Sequence, residues 1–555
     1  MTPPAIVNVA MHLPEMARQK PHSIAVVCPQ GRDGGGRVTY SHLTLKQLND
    51  ESDTLAWGIE SAGIRRGTRT VLMVSPSLPF FALTFALFKT GAIPVMVDPG
   101  IGIKGLGQCL AEAEPSAFIG IPKAQAARLL FKWASSTVKI SITVGKRLFW
   151  GGFTLKEIRE RGLGKGPYRM AETGAGDIAA ILFTSGSTGV SKGAVYTHGI
   201  FDSQVKYLRE IYGIEPGEMD LATFPLFALF GPALGMTAII PDMDASRPAS
   251  ADAGRLIEAI EDFGATNMFA SPALINKVGR YGESRAITLP SLRRVISAGA
   301  PARPDALERF SKMLGEGVEI FTPYGATEAL PVCNIGSREI LGETRKESDE
   351  GKGACIGKPV RDITLKIIKI TDEPIAAWSE TLVSPRGEIG ELAVKGPIVT
   401  REYYQRPEST RLAKIAEGNG GEFWHRMGDV GYEDERGRIW FCGRKSHRVV
   451  TAERTLFTIP CEAIFNAHPA VFRSALVGVK RNGATVPVMC IELEKGTPGE
   501  KEGKIREELL ARGARYPHTK GITTLLFHPS FPVDIRHNAK IFREKLALWA
   551  ERTMP

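Results

Sequence analysis

The stretch that decides the fold is Ile178–His198, IAAILFTSGSTGVSKGAVYTH. It opens on an apolar run, Ile178 to Phe183, which predicts a buried strand of a parallel sheet. The chain then turns small and hydroxylic through Thr184, Ser185, Gly186, Ser187, Thr188 and Gly189, and ends on Ser191-Lys192-Gly193. Glycines let backbone N–H groups close on an anion, the hydroxyls add donors, and Lys192 adds positive charge. Such a loop suits a nucleotide polyphosphate. It is neither the Walker loop, in which Ser or Thr directly follows Gly-Lys, nor the Gly-x-Gly-x-x-Gly dinucleotide turn. Taken alone it also fits a Ser/Gly-rich surface loop, so its neighbours along the chain must decide.

Upstream, strand-like runs alternate with helical ones. Residues 70–74 and 92–97 predict strands on either side of a helix at 78–89; 118–121, 126–134 and 139–144 continue the alternation. That pattern argues for an α/β fold built on parallel sheets. Downstream, Thr197 is placed to cap a helix running to about Tyr212, and further strands are expected at 266–270, 294–297 and 319–322. The segment Leu221–Ile240 is apolar and rich in Pro and Gly without a clean helical period. It reads as core, or as the wall of an apolar substrate pocket carrying Phe227, Phe230 and Leu234. Past Ser337 the composition turns polar, and 363–370, 390–395 and 437–441 suggest a smaller antiparallel β region.

With 555 residues the chain exceeds one core, so more than one domain is expected. Its net charge of +10 is spread among acids, with no arginine stripe interleaved with aromatics; nucleic acid is therefore not an expected partner. The seven cysteines are widely spaced and form no Cys-x-x-Cys pair, which fits a reducing cytoplasm better than a disulfide framework or a zinc site. The N-terminus shows no signal-peptide pattern. The most lipophilic run, residues 78–88, is too short to span a bilayer. Residues 146–153, KRLFWGGF, are basic and aromatic and are expected to form a loop, either locally packed or able to touch a membrane or partner.

Four segments then stand in order: TSGSTGVSKG (184–193), PYGATE (323–328), RMGDVGYEDERGRIWFCGRK (426–445) and a late lysine in HNAKIFREKL (537–546). In order and spacing they resemble the adenylate-forming enzymes, the superfamily of acyl-CoA synthetases, peptide-synthetase adenylation domains and luciferases. The resemblance runs over nearly the whole chain. It implies a large N-terminal α/β domain (1–441) with a small β region, a hinge (442–448), and a small, mobile α+β C-terminal domain (449–555). It also implies ATP and Mg²⁺ as cofactors. By the same resemblance, Thr184–Gly189 and Lys192 would hold the β and γ phosphates, Glu328 would ligate Mg²⁺, and Thr327 would donate to the α-phosphate. Tyr324, Gly325 and Ala298-Gly299-Ala300 would flank adenine; Asp429 and Arg444 would reach the ribose. Lys540 would be the catalytic cation bridging the substrate carboxylate and the α-phosphate.

Three departures from the superfamily pattern concern the second half-reaction. Ser446 stands where the hinge usually has Asp or Lys. Val450 and Glu453 occupy a Lys-x-x-Gly stretch whose glycine, in acyl-CoA synthetases, lets pantetheine pass. Ala228 replaces the histidine of the PLFH-type motif. Residues 97–124, 224–236, 443–449 and 534–547 are similar to the olefin β-lactone synthetases of bacterial long-chain hydrocarbon biosynthesis. That branch implies activation of a 2-alkyl-3-hydroxyalkanoic acid, followed by attack of its own β-hydroxyl on the acyl-adenylate. Phe227, Phe230 and Leu234 would then face a lipid-like substrate, neighbouring pathway enzymes would be partners, and His447 becomes a possible base beside its plainer structural reading. The alternatives are a long-chain fatty acyl-CoA or acyl-AMP ligase, and a catalytically weak binding or scaffold member of the fold.

Overall fold

A computed structural model describes residues 6–183, 191–244, 247–418, 420–533 and 541–554. Two seven-stranded sheets dominate. The first runs Phe153–Thr154, Ile140–Thr143, Ala117–Gly120, Arg69–Met73, Ile93–Met96, Ile178–Phe183, Gly193–Thr197. The second runs Glu319–Phe321, Arg294–Ser297, Asn267–Ala270, Met219–Ala222, Thr237–Ile239, Ile24–Arg32, Val38–Thr44. Neighbours in both are parallel except the final pair of each. The predicted strand at 178–183 is therefore correct, but its next strand returns antiparallel, so the phosphate-loop segment joins two neighbouring strands.

The helix Leu78–Thr90 shows why its sequence is apolar on every side: Phe80 through Thr90 are all buried, as expected when other elements cover a helix all round. Its one charge is neutralised where it lies. Lys89 Nζ stands 2.6 Å from Asp53 Oδ1 and 2.9 Å from Asn49 Oδ1, because an unpaired buried ammonium would be prohibitive. No described helix is long and apolar enough to cross a membrane. The predicted helix after Thr197 spans His198–Tyr212, with Thr197 accepting from the Ile200 N–H and Gly213 ending it at φ +58°.

The antiparallel region is larger than the sequence suggests. Strands Ala354–Cys355, Ile439–Arg444, Glu422–Glu433, Gly390–Lys395 and Thr364–Ile368 lie side by side, and Lys414–Glu417 also pairs with Glu422–Glu433. The twelve-residue strand Glu422–Glu433 escapes pattern reading because Gly428 sits at φ +65° and a register shift follows at Val430/Gly431. Such irregularities destroy a strict period of two. The predicted hinge, 442–448, begins inside Ile439–Arg444 and continues as a single 3-10 turn, Lys445–His447. Beyond it, strands Val471–Arg481, Ala484–Leu493 and Thr524–Phe527 pack with helices Thr458–Asn466, Glu502–Gly513 and Arg543–Thr553 around apolar clusters of their own. All seven cysteines are free and buried.

Candidate active site

Ligands of open α/β sheets bind beyond the carboxyl ends of the strands, and two of the predicted segments begin there. Ser297 delivers Ala298, and Phe321 delivers Tyr324 within three residues. Thr184–Gly189 and Lys540 lie outside the described residues.

Tyr324–Ala326 pairs antiparallel with Ala329–Asn334, Ala326 opposite Ala329, so Thr327 and Glu328 form the two-residue tip of a hairpin. Gly325 is required just below that tip, since a Cβ there would stand 2.5 Å from the Ala329 carbonyl oxygen and 2.7 Å from Leu330 Cδ1. Three contacts fix the tip. Tyr196 Oη donates to the Thr327 carbonyl at 2.6 Å, the Thr400 N–H donates to the Glu328 carbonyl at 2.9 Å, and Tyr403 Oη donates to Glu328 Oε1 at 2.6 Å.

Tyr403 was not singled out in the sequence. It arrives through a bridge to Ala194 beside the phosphate-loop segment, and the Tyr404 N–H donates to the Gly193 carbonyl at 2.7 Å. Lys192 Nζ lies over the Tyr403 ring, 5.0 Å from its centroid. One phenol thus stands between the predicted metal ligand and the predicted phosphate lysine. Lys414, also not anticipated, donates to the Thr400 carbonyl; burial pushes its pKa down to about 7 against the pull of the Glu328 carboxylate. No local pattern marks either residue.

Asp429 sits on Glu422–Glu433, opposite Arg444 in the strand register. Tyr324 Oη donates to Asp429 Oδ2 at 2.5 Å, and Arg444 Nη1 lies 3.0 Å from Oδ1. That second contact is an ion pair without hydrogen-bond geometry, so the buried Oδ1 accepts no hydrogen bond among the described residues. Burial pushes Asp429 up, against Arg444 and Tyr324; Asp429 in turn holds Arg444 above its usual range. A buried carboxylate oxygen that meets a cation but accepts no hydrogen bond keeps acceptor capacity for a ligand, and a vicinal diol supplies such a donor. Across the site, Gly299 adopts φ +100° between Ala298 and Ala300, and the preceding Ser297 Oγ is likewise buried without a hydrogen-bond partner among the described residues.

The apolar wall is made of rings. Phe227 stacks on Phe269 with centroids 3.9 Å apart and planes 15° apart, while Phe230 lies 6.1 Å from Phe227 and 6.4 Å from Phe201. Leu234 corrects the expectation: it is 1 % exposed and packed among Val205, Leu208 and Tyr212. It backs the wall and does not line it. Ala228 is fully buried, so a histidine there would overfill the core. His447 stands 3.4 Å from Glu544 Oε1, and burial with Arg543 nearby pushes its pKa down.

Strand-end placement, a carboxylate at a hairpin tip and a buried carboxylate oxygen that accepts no hydrogen bond among the described residues fit a nucleotide-dependent carboxylate-activating enzyme. The chain belongs to the AMP-binding enzyme family, which its residues 13–404 match. Within that class it is 50% identical over 547 residues to an olefin beta-lactone synthetase of Xanthomonas campestris pv. campestris, covering 98% of this chain and 97% of the relative. It is also 50% identical over 548 residues to the olefin beta-lactone synthetase of Stenotrophomonas maltophilia, with 98% of each covered. Among solved structures, the amide bond synthetase McbA from Marinactinospora thermotolerans superposes with a TM-score of 0.78 at 22% identity, covering 98% of this chain and 99% of that one. The last likeness bears on the fold.

Proposed function

We propose that the chain uses ATP to activate a long-chain 2-alkyl-3-hydroxyalkanoic acid and closes it to a β-lactone, releasing pyrophosphate and AMP. The observation that carries this reading is the 50% identity, over essentially the full length, to two enzymes named olefin beta-lactone synthetases. The site supports it. Asp429 Oδ1 and Arg444 would meet the ribose hydroxyls, and Ala298-Gly299-Ala300 with Tyr324 and Gly325 would flank the adenine. Thr184–Gly189 and Lys192 would hold the β and γ phosphates, with Thr327 donating to the α-phosphate.

Glu328 suits Mg²⁺: a hard cation takes carboxylate oxygen, and Tyr403 engages Oε1 alone among the described residues. Mg²⁺ would neutralise charge on the leaving pyrophosphate. Tyr403 then acts as a positioning residue that aims the carboxylate.

In the first step a substrate carboxylate oxygen bonds to the α-phosphorus and pyrophosphate departs. Lys540 is proposed to stabilise the charge as it moves between carboxylate and phosphate. In the second step the β-hydroxyl oxygen bonds to the acyl carbon, the acyl–phosphate bond breaks, AMP leaves, and the hydroxyl proton is released. Holding the nucleophile within the same molecule replaces a second substrate, and the rings of Phe227, Phe230 and Phe269 keep water from the adenylate. The residues proposed at the pantetheine passage support a route without CoA. Val450 and Glu453 stand exposed on the short hairpin formed by Val449–Val450 and Thr455–Leu456, where a glutamate repels an anionic cofactor. We take residues 449–555 as the mobile unit of the catalytic cycle and 442–448 as its hinge. The cytoplasm is the proposed setting and other enzymes of hydrocarbon synthesis the proposed neighbours.

The test is turnover without CoA. With a 2-alkyl-3-hydroxy acid and Mg·ATP, pyrophosphate release continues for many turnovers, because AMP leaves on lactone closure. An acyl-CoA ligase would stop near one equivalent per enzyme with its adenylate bound, and that outcome would contradict the reading.

A further inference from the structure

The surface most at odds with an ordinary soluble exterior includes the basic, aromatic segment 146–153. Residues 115–156 contain seven Lys or Arg and no Asp or Glu, so this 42-residue stretch alone accounts for most of the chain's net charge of +10. It also holds five of the thirteen exposed large apolar side chains among the described residues: Leu129 at 41 %, Leu130 at 75 %, Phe131 at 42 %, Leu148 at 53 % and Phe149 at 84 %. Three consecutive exposed apolar residues are rare on a soluble surface unless they serve an interaction.

The stretch forms the edge of one seven-stranded sheet. Helix Pro122–Leu130 crosses over to strand Ile140–Thr143, and the Gln125 side chain ties them, its Nε2 donating to the Ile142 carbonyl at 3.0 Å and its Oε1 accepting from Ser141 Oγ at 3.0 Å. The Leu129-Leu130-Phe131 run leaves the C-terminal end of the helix, where Phe131 stacks on the buried Trp133 with centroids 5.7 Å apart. The Leu148-Phe149 tip leaves the loop after the strand, near the helix start, for a Cβ on Gly145 would lie 3.5 Å from Pro122 Cδ. At 1.5 Å per residue the nine-residue helix separates the two tips by roughly 13 Å. Trp150 fixes the second tip by donating from Nε1 to Thr143 Oγ1 at 2.9 Å. Lys123, Lys132, Lys139 and Lys146 around them are exposed, and none forms an ion pair among the described residues.

We propose that this sheet edge is a docking surface for an anionic lipid bilayer, with Leu129-Leu130-Phe131 and Leu148-Phe149 entering the headgroup region and the surrounding lysines meeting lipid phosphates. The charge selects the occupant: the stretch holds seven cations and no acid, and although Arg147 and Lys156 are met by Glu157 and Glu160 just beyond it, the exposed Lys123, Lys132, Lys139 and Lys146 beside the apolar tips match an anionic interface, where basic residues and buried apolar tips act together. The assignment stands on these residues and does not depend on which acid the enzyme activates.

Vesicle co-sedimentation with the full chain tests it, using phosphatidylcholine vesicles with and without 30% phosphatidylglycerol as the probe. Wild type is expected to bind the anionic vesicles about tenfold or more better than the neutral ones, and to be released by high salt. Leu130→Ser with Phe149→Ser, and separately Lys132→Glu with Lys146→Glu, should each reduce binding about tenfold while ATP–pyrophosphate exchange in solution stays at wild-type level; none of the four touches the site. Equal binding to neutral vesicles, or binding undiminished in both double variants, would overturn the proposal. Loss of self-association in the apolar variant without any vesicle binding by wild type would assign the face to a second copy of the chain and overturn it as well.

Discussion

Glu328→Gln is expected to lower ATP–pyrophosphate exchange about 10²–10³-fold, since loss of a charge that positions a metal at the leaving group removes several kcal/mol of transition-state stabilisation. Glutamine preserves the shape of the hairpin tip and an oxygen able to accept from Tyr403, which donates to Glu328 Oε1 at 2.6 Å; the backbone bond from the Thr400 N–H to the Glu328 carbonyl is untouched. The fold should therefore survive, and the unfolding midpoint should match wild type. The diagnostic readout is the Mg²⁺ dependence, whose half-saturation should move to higher concentration. Tyr403→Phe, which leaves the carboxylate in place but unaimed, should shift the same curve in the same direction by about tenfold, the usual scale for an outer partner of a ligand. An unchanged Mg²⁺ dependence in Glu328→Gln would remove the metal from this tip.

Asp429→Asn should raise the KM for ATP by roughly 10–100-fold, the worth of hydrogen bonds to a charged acceptor. Tyr324 Oη can still donate to the amide oxygen in place of Oδ2, while the buried oxygen left without a hydrogen bond in the wild type is the one whose loss ATP should feel. Deoxyribose analogues separate this from a general disturbance. Wild type should discriminate against 3′-deoxyATP, and Asp429→Asn should discriminate less, because the partner of the missing hydroxyl is already gone. Equal discrimination by both proteins would place the ribose elsewhere.

Legibility in the sequence followed how local each feature is. The strand at 178–183 could be read because its apolar run is continuous, and Thr327 and Glu328 could be singled out because their types stand side by side in one short segment, which the structure makes a hairpin tip. The helix at 78–90 could be read because an all-apolar surface admits few other fates. Tyr403 could not: it joins Ala194 across some two hundred residues through one bridge, and nothing near it in the chain announces the contact. Lys414 is concealed in the same way, since it is Glu328, far back in the chain, whose carboxylate it feels. Leu234 failed for a different reason. Apolar type marks a residue as part of a wall but not which side of it the side chain takes, and here helix His198–Tyr212 covers it. The long strand Glu422–Glu433, on which Asp429 faces Arg444, was obscured by Gly428 at positive φ and by the register shift at Val430/Gly431.

The most direct measurement is NMR analysis of the product formed from purified enzyme, Mg·ATP and a synthetic 2-alkyl-3-hydroxy acid, with and without CoA. The account predicts a β-lactone in both reactions, in equal yield, with AMP and pyrophosphate formed in step. A thioester that appears only when CoA is present, with no lactone in its absence, would contradict it.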